Sequence, residues 1–255
     1  MTLKKIGSGL VLATVLLAPA LSHAQSAPAP APAPAATPEH SFAYNVGLVT
    51  DYRYRGISQS GLNPALQGGV DYTHSSGFYL GAWGSTITWI TDAAPANRGR
   101  LEVDLYGGYK GTAGPISYDV GLLQYWYVNN NLNPNANTLE LYAAGTYGPF
   151  TAKYSSSLTN LFGFTNSKGS GYLDLSATFD LGNGWGVTPH LGRQTVANNG
   201  VANYTDLSLA VTKDIAGFIL SGTIVGTDSA KAVYTNPNNK YLGKTAIVLG
   251  IKKNF

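Results

Sequence analysis

From residue 42 to the last residue, apolar and polar side chains alternate in runs bounded by Gly, Pro, Asn and Ser. A period of two is the mark of a strand with two unlike faces. Twelve runs are present, at 42–54, 65–74, 78–88, 99–110, 116–128, 138–147, 150–158, 171–180, 185–194, 203–213, 217–227 and 244–255. Most are near the ~9–11 residues of a tilted membrane-crossing strand. In the last run, Ile247, Leu249, Ile251, Lys253 and Phe255 share one face, and Ala246, Val248, Gly250, Lys252 and Asn254 share the other. Free termini fray, so a strand that continues to Phe255 is expected to be docked in a sheet.

The connections predict how the runs are joined. Five are short, at 75–77, 111–115, 148–149, 181–184 and 214–216. Six are long, at 57–64, 90–98, 129–137, 159–170, 196–203 and 227–243. Long follows odd runs and short follows even runs. A soluble sandwich gives no reason for that order. A transmembrane antiparallel up-and-down β-barrel does, with short periplasmic turns and long extracellular loops. The fold class is therefore all-β, with about twelve strands. Runs three and eleven mix their faces, so ten or fourteen strands are the alternatives. An even count places both termini on the periplasmic side and sets Phe255 at the inner interface.

The two faces differ in charge. The outward set includes Tyr44, Val46, Leu48, Thr50 and Tyr52; Leu101, Val103 and Leu105; Leu173 and Leu175; and Leu207, Leu209 and Val211. The opposite parity carries Asp51, Arg53, Asp71, Glu102, Asp104, Asp119, Glu140, Lys153, Asp174, His190 and Asp206, with Arg55 just beyond run one. A charge facing lipid costs up to ~2–4 kcal/mol, so the charged parity is the expected lumen. Ile219 and Val225 fall on that parity too, which leaves run eleven the least clear. Aromatics gather at run ends. Phe42, Tyr44, Tyr72, Phe78, Tyr109, Tyr118, Tyr147, Phe150, Phe179, Trp185, Phe218 and Phe255 adjoin the short turns or termini. Tyr52, Tyr54, Trp89, Trp126, Tyr172, Tyr204 and Tyr241 lie at the other end. Two such rings are expected at the two membrane interfaces.

The start of the chain adds a compartment. Lys4 and Lys5, an apolar run from about Leu10 to Leu21 and Ser22-His23-Ala24 form the pattern of a secretory signal, with cleavage after Ala24. Residues 25–41 are rich in Ala and Pro and read as a semi-rigid, passive spacer. The barrel is expected over 42–255. Without the signal the chain carries 14 Lys and Arg against 13 Asp and Glu, a balance that asks for no nucleic acid. There is no Cys, hence no disulfide and no thiolate metal site. His40, His74 and His190 read as scattered, with His40 in the spacer, so neither a metal nor a cofactor is expected.

Residues 46–85 then carry a resemblance. Asp51-Tyr52-Arg53-Tyr54-Arg55-Gly56-Ile57-Ser58-Gln59-Ser60, Pro64-Ala65-Leu66-Gln67-Gly68 and Gly77-Phe78-Tyr79-Leu80-Gly81-Ala82-Trp83 resemble the TorF-type porin family. Its members were long known only as conserved bacterial proteins of unknown function. The likeness runs from about residue 43 to the end and is diffuse after 127. It implies an outer-membrane barrel and a pore, and it brings no catalytic residues.

The expected function is passive diffusion of small polar solutes or ions through a narrow lumen. Charged rings select ions, and acids outnumber bases on the inward parity, which predicts a weak cation preference. The pore-lining candidates are Asp51, Arg53, Arg55, Asp71, Glu102, Asp104, Asp119, Glu140, Lys153, Asp174, His190 and Asp206. The bland account of the same residues is that opposite charges pair and fill the interior. Outer-membrane lipid, lipopolysaccharide and the barrel assembly machinery are the expected partners, with Phe255 as the assembly signal. The oligomeric state is open. The rival reading is a non-conducting barrel that works as a structural, adhesion or receptor protein through its outer loops. A lipase-type enzyme is a remote third: no G-x-S-x-G is present, and His190 reads as a hydrogen-bonded structural histidine.

Overall fold

The computed structural model describes residues 38–255. The expected signal peptide, 1–24, and residues 25–37 of the spacer lie outside the described residues. Twelve antiparallel strands form one closed barrel. They are β1 (His40–Val49), β2 (Ala65–His74), β3 (Phe78–Thr86), β4 (Leu101–Ala113), β5 (Ile116–Val128), β6 (Thr138–Tyr147), β7 (Phe150–Ser157), β8 (Gly171–Ala177, continued by Phe179–Gly182), β9 (Trp185–Thr195), β10 (Tyr204–Ile215), β11 (Phe218–Thr227) and β12 (Ala246–Asn254). Each strand pairs with the next, and β12 closes on β1 with Asn45 opposite Asn254 and Val49 opposite Gly250. Closure leaves no unpaired edge, which a lipid environment would not tolerate.

The expected parity holds around the barrel. Val46, Leu48, Leu66, Leu105, Leu122, Leu141, Leu173, Leu209, Ile224, Leu249 and Ile251 are exposed on the outside. This apolar outer surface is that of a membrane-spanning barrel. The inner aromatic ring is also as expected. Ten of its twelve members are exposed, while Tyr72 and Tyr118 lean on Phe42 and Tyr109. The strands that looked mixed are regular: Ile219 and Val225 do face inward, with Ile219 opposite Lys252 on β12. Phe255 is docked as expected. Its backbone N–H donates to the Tyr44 carbonyl (2.9 Å), and its own carbonyl accepts from Tyr44 (3.1 Å).

Two expectations are corrected at the outer end. The first run does not continue to residue 54. β1 stops at Val49, Thr50 makes the last ladder bond to Leu249 (2.9 Å), and the chain then turns into the barrel. Tyr52, placed on the lipid side by parity, is buried inside. The outer aromatic ring also fails, except at Trp126, which is 47 % exposed. Tyr172 and Tyr204 share the inward parity of Asp174 and Asp206, so their rings enter the lumen. Trp89 opens a short helix, α1 (Trp89–Ala93), and packs edge-on against Tyr127. Tyr241 lies in the β11–β12 loop, which also carries α2 (Lys231–Tyr234). The long loops thus fold over the mouth. Ile57, Tyr204 and Leu242 form one apolar cluster there, and Leu161, Val196 and Ala202 another.

Candidate functional site

The site is the outer half of the lumen, filled by the segment between β1 and β2. Arg53–Tyr54 pairs with Ile57–Ser58 as a small hairpin. Its two turn residues, Arg55 (φ 47°) and Gly56 (φ 78°), are both left-handed, as a two-residue turn of type I′ requires. Gly suits that position. Arg does not, and an L-residue there costs about 1–2 kcal/mol. The tip also needs Gly56 for space: a Cβ there would stand 2.5 Å from Thr227 Cγ2 and 2.8 Å from Asp206 Cβ. The hairpin leaves the β1 side and meets the wall at β10 and β11.

Two arginines fix it. Arg53 Nε donates to Asp51 Oδ2 (2.6 Å), and its Nη1 donates to the carbonyls of Gly56 (2.9 Å), Leu242 (3.0 Å) and Lys244 (3.0 Å). That binds the hairpin to the β11–β12 loop. Asp51 also accepts from the hydroxyls of Ser58 (2.5 Å) and Ser60 (3.2 Å). Arg55 donates to Glu140 Oε2 (2.7 Å) and Gln194 Oε1 (2.8 Å). Its guanidinium lies 4.2 Å from the Tyr172 ring centre and 4.8 Å from that of Tyr54. The Arg55–Glu140 pair is almost wholly buried. Charge-assisted bonds of this kind are the strong ones.

Tyrosines line the wall around the hairpin. They lie flat because the neighbouring strand offers glycine. A Cβ at Gly81 would meet the Tyr106 ring at 2.2 Å, and one at Gly192 would meet the Tyr172 hydroxyl at 2.0 Å. Their hydroxyls then reach acids. Tyr52 donates to Glu102 (2.9 Å), Tyr79 to Asp119 (2.5 Å), Tyr106 to Asp71 (2.6 Å), Tyr125 to Glu140 (3.2 Å) and Tyr172 to Asp206 (3.0 Å). Tyr79 also bonds Tyr142, and Tyr54 bonds Tyr125.

All twelve candidate residues therefore face the barrel interior. Asp51 pairs with Arg53, and Arg55 with Glu140. His190 stands 3.4 Å from both Asp174 and Asp206, one ring between two carboxylates. Lys153 caps the Tyr142 ring at 4.0 Å. Among the described residues Asp104 is brought to no partner, and Glu102 Oε2 and Asp104 Oδ1 accept no hydrogen bond. The tyrosines and Gln194 were absent from the candidates. Their inward parity was the available signal, but an aromatic at a strand end reads equally as an interface anchor.

Below the hairpin the interior is looser. Inward residues of the periplasmic half, such as Asn45, Asp71, Lys110, Asp119, Thr188, Thr212 and Lys252, are half-buried, whereas Glu102, Tyr125, Glu140, Tyr172 and Asp206 above them are buried. The half-buried zone extends furthest outward along β11, β12, β1 and β2, where Thr223, Val248, Gly250, Gly47 and Gly69 make a wall of small residues.

A family model described as "Bacterial protein of unknown function (Gcw_chp)" matches residues 33–255. The chain belongs to the Gcw_chp family. No curated protein matches it. Among solved structures, this Gcw_chp chain is similar to a KdgM porin solved in complex with disordered oligogalacturonate. The TM-score is 0.51 at 8 % identity, over 84 % of this chain and 98 % of that one. It is also similar to the NanC porin, with a TM-score of 0.52 at 10 % identity, over 83 % of this chain and 98 % of that one. At such identities the likeness is one of fold. Both comparisons span nearly the whole of the solved porins, so the shared fold takes in the entire barrel.

Proposed function

We propose that the chain is a narrow, weakly cation-preferring outer-membrane channel for small polar solutes or ions, with its outer constriction built by residues 51–60. The supporting observation is Arg55, carried across the lumen on a hairpin and seated on Glu140, Gln194 and Tyr172. A structural filler would be served by an apolar tip and an Asn-Gly turn. Here a turn-disfavoured arginine is buried against the wall in the outer half of the lumen.

The likeness of residues 46–85 to the TorF-type porins supports the same reading. In it, residues 1–24 are a cleaved signal, and the expected 25–41 spacer and 42–255 barrel meet two residues earlier, at His40, where β1 begins. Lipid and lipopolysaccharide contact the apolar outer surface, and the assembly machinery recognises Phe255. Solutes cross along the small-residue wall of β11, β12, β1 and β2. No catalysis is involved.

The filled outer half also favours a second reading, a closed barrel that works through its loops. Single-channel recording of the folded chain in a planar bilayer separates the two. Discrete, voltage-stable steps are expected for the channel. A correctly folded barrel that never conducts would overturn it in favour of the closed barrel.

A further inference from the structure

We propose that Glu39, His40 and His74 form a binding site for a divalent transition-metal ion, Zn²⁺ or its chemical neighbours, at the periplasmic rim of the barrel. His40 and His74 occupy directly opposed positions on β1 and β2, and their ring centres are 5.2 Å apart. Sequence spacing could not show this, because 33 residues separate them. Glu39 joins them because strand pairing continues one residue beyond β1: the Ser75 N–H donates to the Glu39 carbonyl at 2.9 Å. One ligand atom from each of the three side chains lies within 4.8 Å of the other two. Glu39 Oε1 is already 3.5 Å from His74 Nε2.

The surroundings suit metal ligation. A metal-binding imidazole uses one nitrogen for the ion and fixes its other nitrogen by a hydrogen bond. His40 Nδ1 is 2.9 Å from the Tyr72 hydroxyl, and His74 Nδ1 is 2.6 Å from Ser76 Oγ. Both Nε2 atoms are left for the ion. The His74 tautomer that binds metal carries its proton on Nδ1 and donates it to Ser76 Oγ. The exposed Ser76 N–H, now 3.1 Å from that nitrogen, then turns to water. The His40 ring also stacks on Tyr72 at 5.9 Å, which limits its rotation.

The donor set selects the ion. Two imidazoles and one carboxylate, with a position open to water, suit Zn²⁺, Cu²⁺ or Ni²⁺. Ca²⁺ and Mg²⁺ prefer all-oxygen sites. The histidines share the outward parity of Phe42 and Tyr72, so the site lies outside the lumen, at the level of the periplasmic turn. An ion there staples the first residues of β1, an end prone to fraying, to the end of β2. The proposal does not depend on whether the barrel conducts.

The test is isothermal titration of ZnCl₂ into the protein extracted from outer membranes and prepared without a histidine tag. One saturable site is expected. His40→Ala and His74→Ala should abolish it, and Ser76→Ala should weaken it about 10-fold or more. The heat-dependent gel shift of a folded barrel checks each variant. Cu²⁺ bound to the same protein should give an electron paramagnetic resonance spectrum with two imidazole nitrogens, falling to one in each histidine variant. Absence of saturable Zn²⁺ binding would overturn the proposal. So would binding that both folded histidine variants retain, or a Cu²⁺ spectrum without two imidazole nitrogens.

Discussion

Arg55 shows two demands in conflict at one residue. The type I′ turn favours Asn-Gly, yet the chain has Arg-Gly. The backbone cost is offset by bonds to Glu140 and Gln194 and by stacking on Tyr172. Arg55→Asn separates the terms. It keeps and even improves the turn, but it removes the anchor and leaves Glu140 buried without its cation. Breaking one side of a buried pair costs about 3–5 kcal/mol. We expect a lower thermal midpoint and a larger, noisier single-channel current. Adding Glu140→Ala should restore much of the midpoint but not the quiet current. Arg55→Lys should rescue neither fully, because an ammonium cannot bond in a planar fork and stack at once. An unchanged current in Arg55→Asn would remove the residue from the constriction.

At the scale of the element, the hairpin of residues 51–60 is the part that moves or does not. Its tip packs on β10 and β11, with the ideal Cβ of Gly56 2.5 Å from Thr227 Cγ2. The chain has no cysteine, so an Ile57→Cys, Leu242→Cys pair, two side chains packed in one apolar cluster beside the tip, ties the hairpin to the β11–β12 loop without disturbing Gly56. If solutes pass by displacement of the hairpin, oxidation should lower the current, and a reductant should restore it. Equal current in both states would mean that the path bypasses a static hairpin. The sequence did not foretell this element. Asp51 and Arg53 continue the alternation of β1, so parity placed them correctly inward but on the wall. What turns the chain off the wall is a set of long-range bonds, from Arg53 to Leu242 and Lys244 and from Arg55 to Glu140, which no local pattern contains. The strands were legible for the opposite reason. Lipid on one side and water on the other force a period of two, and that signal is local. The outer aromatic ring was misread because Tyr172 and Tyr204 satisfy two rules at once: strand-end placement suggests an interface, while parity points inward. Parity decides, since the pleat fixes the side on which a ring lies. The Glu39–His40–His74 group was hidden in a similar way. Its register comes from the pairing of β1 with β2, whereas the preceding Ala/Pro composition made residue 40 read as spacer.

For the whole molecule the open quantity is the sign of the interior field. The inward acids Asp51, Asp71, Glu102, Asp104, Asp119, Glu140, Asp174 and Asp206 face the inward cations Arg53, Arg55, Lys110, Lys153 and Lys252, with His190 between Asp174 and Asp206. Pairing cancels part of this excess. Asp51 with Arg53 and Glu140 with Arg55 are closed units, and Lys110 lies 4.0 Å from Asp119. Among the described residues Glu102 and Asp104 remain without a basic partner, each with an oxygen that accepts no hydrogen bond. A narrow low-dielectric passage magnifies such uncompensated charge. In a salt gradient the reversal potential should therefore favour the cation, modestly, and the preference should shrink as ionic strength rises and screening shortens. Glu102→Gln with Asp104→Asn removes the unpaired acids while leaving both arginine anchors intact. That variant should keep its step size within about a factor of two and lose most of the cation preference. An anion-favouring potential in the unmodified protein would overturn the assignment of the field. A preference that survives the double variant would move its source to the half-buried acids of the periplasmic half, Asp71 and Asp119.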